Sequence, residues 1–419
     1  MKSVTAYLTL LWAFLLPWQA RLILREGAIG GEAWQYGTIS VSVAEALLGI
    51  LFFILLSRSD IRWRRFMPLA LFAIVLLWGA WRADDSLLAF SRAILFLVLL
   101  FVAYSAPSFA NVSVRGIAYA FLFGMLPQAL LGVGQFFMQE VPGSAFLGAA
   151  AHHASTLGDS VVETSVGRYL RAYGSFPHPN VFGGFLAIAV VLSAWLWAHA
   201  TRFAPRLFAS VSFLVNGAAL FFTFSRGAWV ATALGLAFLF VSFGWKKAAP
   251  AIISAFALAS LLGFAAFPLL QTRVAAQGRL EAQSISERVD GVTFAWRVFQ
   301  EQPFFGAGMG NATLALARAF PGSPIWHYQP PHNAALSAIV EIGLLGFLAL
   351  IGVMTSLLRG VWNHPLARAL VVALAAIGFF DHFLWTLPAG LALAGFVVVS
   401  SHLSRQGLDK PPPQCTLGL

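Results

Sequence analysis

Residues 181–200 read VFGGFLAIAVVLSAWLWAHA and contain no aspartate, glutamate, lysine or arginine. An α-helix needs about 20 apolar residues to cross the hydrocarbon core of a membrane, and this run supplies them. Eleven further apolar runs of this kind occur along the chain, and each is continuous rather than alternating in polarity, which argues against a β-barrel. We therefore predict an all-α, polytopic integral membrane protein with about twelve transmembrane helices.

Two long, more polar segments separate the apolar runs into three groups. The runs lie at about residues 4–24, 39–56, 66–81, 87–105, 116–138, 181–200, 206–224, 228–245, 248–270, 333–358, 366–381 and 384–402. The predicted organisation is transmembrane helices 1–5 within residues 1–138, a structured loop at 139–180, helices 6–9 at 181–270, a large helical loop at 271–332, helices 10–12 at 333–402 and a polar tail at 403–419.

The composition excludes several classes of protein. Hydrophobic residues make up 59% of the chain and charged residues 10%, with a mean hydropathy of +0.80, whereas a soluble domain carries about 25% charged residues. In a membrane protein the net charge of +10 reports topology, so it predicts membrane lipids and not nucleic acid as the partner. The single cysteine, Cys415, excludes an intrachain disulfide, a zinc ribbon and an iron–sulfur cluster.

The distribution of lysine and arginine predicts the orientation, because short cytoplasmic loops are enriched in both. With a cytoplasmic N-terminus, fourteen of the 26 cations fall in cytoplasmic loops or tails, and all four lysines are among them. The short loops on the far side hold Arg21, Arg25, Arg82, Arg92 and Arg226. We therefore predict that both termini are cytoplasmic and that the segments 139–180 and 271–332 lie on the opposite face.

The large outer loop carries helical and turn signals. Residues 286–300 (SERVDGVTFAWRVFQ) place Val289, Val292, Phe294, Trp296 and Phe299 on one predicted apolar face of a helix lying on the membrane surface. The glycine-rich stretch at 303–311 (PFFGAGMGN) does not meet the spacing of a dinucleotide loop. It predicts a compact turn in which the backbone approaches a neighbouring segment closely.

Three outward arginines are candidates for binding an anion, since a guanidinium matches the geometry of phosphate oxygens. Arg171 precedes the proline-rich entry to the sixth helix, where His178 and Asn180 allow either a simple asparagine-capped helix start or a lining of the external cavity. Arg226 lies in a short connection between helices, where it either snorkels to lipid headgroups or faces the cavity. Arg288 either forms a local ion pair with Glu287 or Asp290 or faces the cavity as well.

His332 is the candidate catalytic base. Pro330 and Pro331 stiffen the approach to the next predicted helix and place His332 at or just before its N-terminus. The positive end of the helix dipole and the nearby arginines favour a neutral imidazole, which can accept a proton. A lone interfacial histidine is otherwise a structural residue, but arginines that converge on it in one water-accessible pocket favour the catalytic interpretation.

Such a pocket suits a substrate with a membrane anchor and a pyrophosphate head. No metal is predicted, because the outward acids are scattered and no His/Asp/Glu spacing resembles a ligand set. The pair His152 and His153 lies in a loop rich in small residues and is interpreted as solvated loop histidines rather than as a metal site.

Several of these motifs together resemble the O-antigen ligase family of bacterial inner membranes. They are Gly174-Ser175-Phe176, His178-Pro179-Asn180, Thr223-Phe224-Ser225-Arg226-Gly227, the run from Arg288 through Trp296 to Pro303, Gly306-Ala307-Gly308 and Pro331-His332-Asn333. The resemblance implies a multi-pass protein of the Gram-negative inner membrane with a periplasmic active site. Members of the family move a glycan from undecaprenyl pyrophosphate to a sugar hydroxyl of lipid A-core by inverting transfer, without a metal or other cofactor.

The resemblance assigns roles to the candidate residues. His332 would activate the acceptor hydroxyl, Arg226 and Arg288 would bind the pyrophosphate, and Arg171 would be a third substrate-binding residue. By position alone, Arg21, Arg25 and Arg82 are candidates for contacting the phosphates of lipid A-core.

The sequence leaves three alternatives to this function. O-antigen polymerases and protein O-oligosaccharyltransferases share this kind of loop and the same donor. A flippase for a polyprenyl-linked glycan is disfavoured, because a transporter should show charges within its spans and repeated halves. Glu45, Glu341 and Asp381 are the only acids within the predicted spans, and the sequence shows no repeated halves.

Overall fold

The computed structural model describes residues 2–58, 63–109, 111–165, 167–274 and 279–405, and most of this part of the chain is helical. A helix lies at each of the twelve predicted runs. The helices are α1 (Lys2–Leu15), α2 (Val43–Leu56), α3 (Met67–Arg82), α4 (Ser86–Ser105), α5 (Val114–Met138), α6 (Pro179–His199), α7 (Phe203–Phe222), α8 (Arg226–Phe243), α9 (Trp245–Ala265), α10 (Phe267–Val274), α11 (Arg279–Glu301), α12 (Ala312–Ala319), α13 (Ala334–Leu358), α14 (Pro365–Phe380), α15 (Phe383–Thr386) and α16 (Pro388–Ser404).

The described residues include seven helices that are long and apolar enough to cross a membrane. An eighth candidate is the pair formed by Ile252–Ala265 and Phe267–Val274, which bends by 102°. Four shorter apolar helices lie at Ser3–Leu15, Val43–Leu56, Pro365–Phe380 and Pro388–Ser404. The described part of the chain is thus predominantly helical and has seven or eight membrane-span candidates, while the number of twelve spans and their orientation stay predictions.

The first predicted run is wrong in its second half. Helix α1 ends at Leu15, and Arg21–Arg25 instead forms strand β1, which pairs antiparallel with β4 (Ile39–Ser42). Pro17 lacks the backbone N–H that a continuing helix would need. The other short strands are β2 (Ala28–Ile29), β3 (Glu32–Ala33), β5 (Glu140–Val141), β6 (His152–His153), β7 (Val161–Thr164) and β8 (Gly167–Leu170), which form three two-stranded antiparallel sheets: β2 with β3, β5 with β6 and β7 with β8. The all-α prediction therefore missed the small hairpins that flank the helices.

Helix α6 is the central element of the bundle. It packs against α5, α7, α8 and α14, and nearly all of its side chains from Pro179 to Leu196 are buried. Gly183 and Gly184 allow this packing, because a Cβ atom on Gly183 would lie 2.9 Å from Ala228 and one on Gly184 would lie 2.5 Å from Phe383. The N-terminus of α6 is therefore held tightly against α8 and α15.

The glycine-rich turn at residues 303–311 packs against a break in helix α13. Gly343 has φ +64° and interrupts the helix. The turn restores hydrogen bonding across the break: Ala307 donates to the carbonyl of Val340 over 3.0 Å and Leu344 donates to that of Pro303 over 2.8 Å. A Cβ atom on Gly306 would lie 2.4 Å from the backbone of Glu341, so the prediction of a compact turn in close backbone contact is confirmed.

We expect Gly343→Ala to lower the free energy of unfolding by about 2 kcal/mol or more, because it combines a left-handed backbone with backbone overlap. A Cβ atom there would lie 2.4 Å from the backbone of Phe304. Gly352→Ala is the matched control on the same helix, since its Cβ would meet nothing within 4 Å. Thermal unfolding in detergent measures both variants, and equal melting temperatures would contradict the proposed constraint.

Candidate active site

One cavity of about 790 Å³ lies where both long segments meet the turn between α7 and α8 and the break between α14 and α15. All four residues proposed from the sequence line it: Arg171, Arg226, Arg288 and His332. The arginines lining this cavity are Arg168, Arg171, Arg226, Arg273, Arg279 and Arg288, and its acidic residues are Asp159, Glu287 and Asp381. The cavity wall is therefore rich in cations that a phosphate group could contact.

His332 lies two residues before α13, as predicted. The N-cap of this helix is Asn333, whose side-chain oxygen accepts a hydrogen bond from the backbone of Leu336 over 2.9 Å. The amide group of Asn333 also donates to the carbonyl of Phe379 over 3.0 Å. Since Phe379 lies near the end of α14, this contact fixes His332 beside the break between α14 and α15.

The residues in that break, Asp381 and His382, were not predicted as site residues. Potential ligand atoms of His332, Asp381 and His382 all lie within 4.8 Å of one another. Asp381 Oδ1 accepts backbone hydrogen bonds from His382 at 2.8 Å and from Phe383 at 3.3 Å. The available signal was an Asp-His pair between two apolar runs, but it does not reveal that the break folds against residue 332.

Arg171 braces this arrangement from inside the protein. It is only 5% exposed, and its Nε donates to the carbonyl of Thr223 over 2.6 Å while its Nη2 donates to Asn180 Oδ1 over 2.7 Å. Asn180 in turn donates to Asp381 Oδ2 over 2.8 Å. Arg171 thereby connects the turn after α7 to the carboxylate beside His332, so the geometry favours a positioning role, and its predicted substrate contact stays untested.

His178, not Asn180, is the N-cap of α6, so the predicted asparagine cap is wrong. The ring Nδ1 of His178 accepts from the backbone of Asn180 over 3.0 Å, which leaves its Nε2 to donate to Ser160 Oγ over 2.8 Å. Burial and the nearby Arg171 lower the pKa of His178 to about 3. Burial likewise lowers the pKa of His382 to about 4, so both rings are neutral at pH 7.

Asp381 is the negative charge of this cluster. Its carboxylate accepts hydrogen bonds from the side chain of Asn180 and from the backbone N–H groups of His382 and Phe383. An ionised carboxylate here favours positive charge on a neighbouring imidazole. The sequence indicates the helix dipole and the arginines near His332, but it does not indicate this carboxylate.

The depressed pKa of His178 predicts loss of stability in acid. An unfolded histidine titrates near pH 6.5, so between that value and about 3 the unfolded chain binds a proton that the folded chain excludes, and acid favours unfolding. We expect His178→Asn, which retains a capping side chain, to lose less melting temperature between pH 7 and pH 5 than the wild type. His153→Asn, at an exposed residue of strand β6, is the control, and an unchanged pH dependence in His178→Asn would refute the assignment.

Arg226 begins α8 after a tight turn. Phe224 in this turn has φ +46°, an unfavourable conformation for a bulky residue, and its ring is fully buried. Arg273, in α10, donates from Nε to the carbonyl of Phe224 over 2.9 Å, and Arg226 Nη1 donates to the carbonyl of Arg273 over 3.3 Å. The pairing of these two arginines at the cavity was missed, because the sequence does not show that α10 folds back onto the turn.

Arg288 lies on the cavity-facing part of α11, and its predicted local ion pair is wrong. Within the part of the chain that the structure describes, Glu287 accepts instead from Gln283 over 2.8 Å and Asp290 accepts from Ser286 over 3.1 Å. A Cβ atom on Gly291 would lie 3.3 Å from Pro331. Helix α11 therefore passes directly beside the segment that carries His332.

The predicted apolar face of α11 is divided in the structure. The helix packs through Ala295 and Val298, whereas Val289, Val292 and Trp296 are 62%, 56% and 58% exposed. Helical periodicity places positions 291, 295 and 298 on one side, so a second apolar stripe remains on the outside. This stripe is compatible with the predicted location at a membrane surface.

Other predicted outward cations are engaged within the protein. Arg25 forms an ion pair with Asp85, and one of its hydrogen bonds to that carboxylate measures 3.0 Å. Arg92 is not in a loop but buried in α4, where it donates to the carbonyl of Thr38 over 3.1 Å. Arg82 stacks over the ring of Phe305 at 5.7 Å. A lipid phosphate would have to compete with these contacts. The competition is weakest at Arg82, whose contact in the described chain is with an aromatic ring and not with a carboxylate or a carbonyl.

The histidine pair in the first loop does not converge on one point. His152 bonds through Nδ1 to Asp159 over 2.7 Å and stacks on Tyr173 at 4.1 Å, whereas His153 bonds through Nδ1 to Ser155 over 2.7 Å. Adjacent residues of a strand point to opposite faces. His152 lines the cavity and is half-buried, so only His153 fits the predicted solvated loop histidine.

The comparison with protein families identifies one segment of the chain. Residues 211–351 match the family model Wzy_C, described as O-antigen ligase. The matched segment contains Arg226, Arg273, Arg288 and His332, but it ends before Asp381 and covers about a third of the chain. The family resemblance inferred from the sequence is thereby confirmed. No curated protein matches the chain.

Proposed function

We propose that the chain, whose residues 211–351 match a family model described as O-antigen ligase, is a membrane glycosyltransferase of the ligase and polymerase type that transfers a glycan from undecaprenyl pyrophosphate to a sugar hydroxyl of lipid A-core. The proposed site lies on the periplasmic face of the Gram-negative inner membrane. The observation that carries this proposal is one cavity that contains both the His332–Asp381 pair and a group of arginines.

The arginines form the donor side of the site. Arg226 and Arg288 bind the pyrophosphate, and the carbonyl of Arg273 in α10 accepts a hydrogen bond from Arg226. Guanidinium groups match phosphate oxygens in pairs, and fixed positive charge stabilises the negative charge that develops on a departing pyrophosphate. The energy for transfer is already stored in the donor, so a nucleotide is not required.

His332 and Asp381 form the acceptor side. The acceptor hydroxyl transfers its proton to the His332 ring while its oxygen bonds to the anomeric carbon of the donor sugar. The bond between that carbon and the pyrophosphate oxygen breaks, and undecaprenyl pyrophosphate leaves with the electron pair. The resulting imidazolium is stabilised by the Asp381 carboxylate, which Asn180 and two backbone N–H groups orient. A single displacement of this kind inverts the configuration at the sugar.

The buried acids support an enzyme over a flippase. Glu45 forms a capping box with Ser42 at the start of α2. Glu341 accepts from the backbone of Gly310 and from the indole of Trp385, each over 2.8 Å. Both carboxylates therefore have local structural partners, which account for these acids without a transport path.

The test is reconstitution of the purified chain with undecaprenyl-pyrophosphate glycan and lipid A-core in the presence of EDTA. We expect glycan-extended lipid A-core that carries inverted configuration at the new linkage. Elongated lipid-linked glycan would instead identify a polymerase, and glycan on an added protein acceptor would identify an O-oligosaccharyltransferase. Movement of the intact donor across a vesicle without transfer would identify a flippase.

A further inference from the structure

The break between α14 and α15 contains a set of potential metal ligands whose chemistry goes beyond glycan transfer. His332, Asp381 and His382 offer two imidazoles and one carboxylate whose ligand atoms lie within 4.8 Å of one another. Their sequence positions gave no sign of a ligand set, because two helices, α13 and α14, separate His332 from the other two. Small side-chain adjustments would bring three such groups to the ligand spacing of a zinc site.

The hydrogen bonds of His382 leave the correct nitrogen available for a metal. Thr386 donates its hydroxyl proton to the carbonyl of His382 over 3.3 Å, so its oxygen accepts from His382 Nδ1 over 2.7 Å. The proton of the neutral ring is therefore on Nδ1, and Nε2 carries the lone pair. Nε2 lies 4.0 Å from Asp381 Oδ1, and a hydrogen bond from the other ring nitrogen is the usual support of a metal-binding histidine.

The other two groups are prepared in a similar way. Asp381 is oriented by Asn180 and by the backbone of His382 and Phe383. His332 Nδ1 is shielded from solvent and has no hydrogen-bond partner in the described part of the chain. An unpartnered polar atom in such a position is costly, and a cation bound beside Asp381 is one group that would satisfy it.

We propose that His332, Asp381 and His382 form a binding site for a divalent transition metal of the zinc class, and that the bound metal inhibits the protein. Two imidazoles and one carboxylate favour Zn²⁺ or Co²⁺ over Mg²⁺ and Ca²⁺, which prefer oxygen ligands. The cavity arginines weaken binding by repulsion, which suits a reversible inhibitor more than a permanently bound cofactor. The inhibition, but not the binding, rests on the proposed role of His332 as a base, because a coordinated imidazole cannot accept a proton.

The binding test uses the full-length chain without a histidine tag, in detergent, titrated with Co²⁺ and followed by visible absorption. We expect one equivalent of Co²⁺ to give ligand-field bands that Zn²⁺ removes and excess Mg²⁺ does not. His382→Gln and Asp381→Asn should each weaken binding by about 10-fold or more, while the control His152→Gln/His153→Gln should bind as the wild type does. Melting temperatures establish that each variant is folded.

Bands that persist in folded His382→Gln and Asp381→Asn, or that vanish in the His152/His153 control, would overturn the site. In the transfer assay, Zn²⁺ should inhibit the wild type, EDTA should restore activity, and His382→Gln should need about 10-fold more Zn²⁺ for the same fractional inhibition. Activation by Zn²⁺, or binding without inhibition of an active protein, would overturn the inhibitory role. A chain that binds Co²⁺ but transfers no glycan would contradict the proposed function and leave the metal site intact.

Discussion

His332→Gln is expected to reduce the rate of glycan transfer by about 10²–10⁴-fold, the contribution of a positioned general base. Glutamine approximates the size and polarity of the ring but cannot accept a proton at neutral pH. The effect should appear in kcat, because Arg226 and Arg288 remain on the donor side of the cavity. Single-turnover transfer with saturating donor measures the chemical step directly.

His327→Gln is the matched control for this variant. His327 precedes His332 by five residues in the same approach to α13, but its side chain is exposed and does not line the cavity. We expect its kcat to stay within about twofold of the wild type, as for an exposed substitution without a structural role. If His332→Gln and His327→Gln were both fully active, His332 would not be the general base of the proposed mechanism, whichever acceptor the protein uses.

The residues that the sequence could identify are those next to a strong local signal. His332 follows two prolines and precedes a long apolar run, and Arg226 lies in a connection too short to leave the end of the bundle. In both cases local covalent geometry fixes the position of the side chain relative to the helix end. The structure brings these residues into one cavity, as the sequence analysis expected.

The residues that the sequence could not place depend on contacts between distant segments. Asp381 reaches His332 because Asn333 binds the end of α14, and Arg273 reaches Arg226 because α10 folds back after a bend of 102°. Neither contact follows from hydropathy or from spacing along the chain. The same limit applies to the contacts of Arg171 with Thr223 and Asn180, which its position in the sequence does not reveal.

Helix positions were easier to predict than their ends. Continuous hydrophobicity located a helix at every run, because burial in lipid or in the bundle requires it. The run at 4–24 failed after Leu15 since hydropathy alone cannot distinguish a helix from the exposed apolar strand Arg21–Arg25. Gly343 shows a related limit, because its helix break is satisfied by a turn more than thirty residues earlier in the chain.

Arg288→Gln is expected to lower kcat/KM for the donor by about 10²–10³-fold, the usual cost of removing one preorganised group that stabilises developing charge. Arg288 lies on α11 beside the segment that carries His332, and neither neighbouring acid pairs with it within the described chain. Its charge is therefore directed to the cavity. Arg288→Lys should recover only part of the loss, since an ammonium keeps the charge but not the planar fork.

Arg297→Gln provides the control on the same helix, because Arg297 is exposed and does not line the cavity. It removes an equal charge from α11, so a long-range effect of net charge would lower donor use in both variants. The difference of both variants from the wild type would then become smaller at high salt, because salt screens such an effect. A direct contact with pyrophosphate lowers it in Arg288→Gln alone and leaves the KM of the acceptor unchanged. Equal donor kinetics in the two variants would therefore exclude Arg288 from the pyrophosphate site and leave Arg226 and Arg273. A raised acceptor KM in Arg288→Gln would instead assign this arginine to the acceptor side of the cavity.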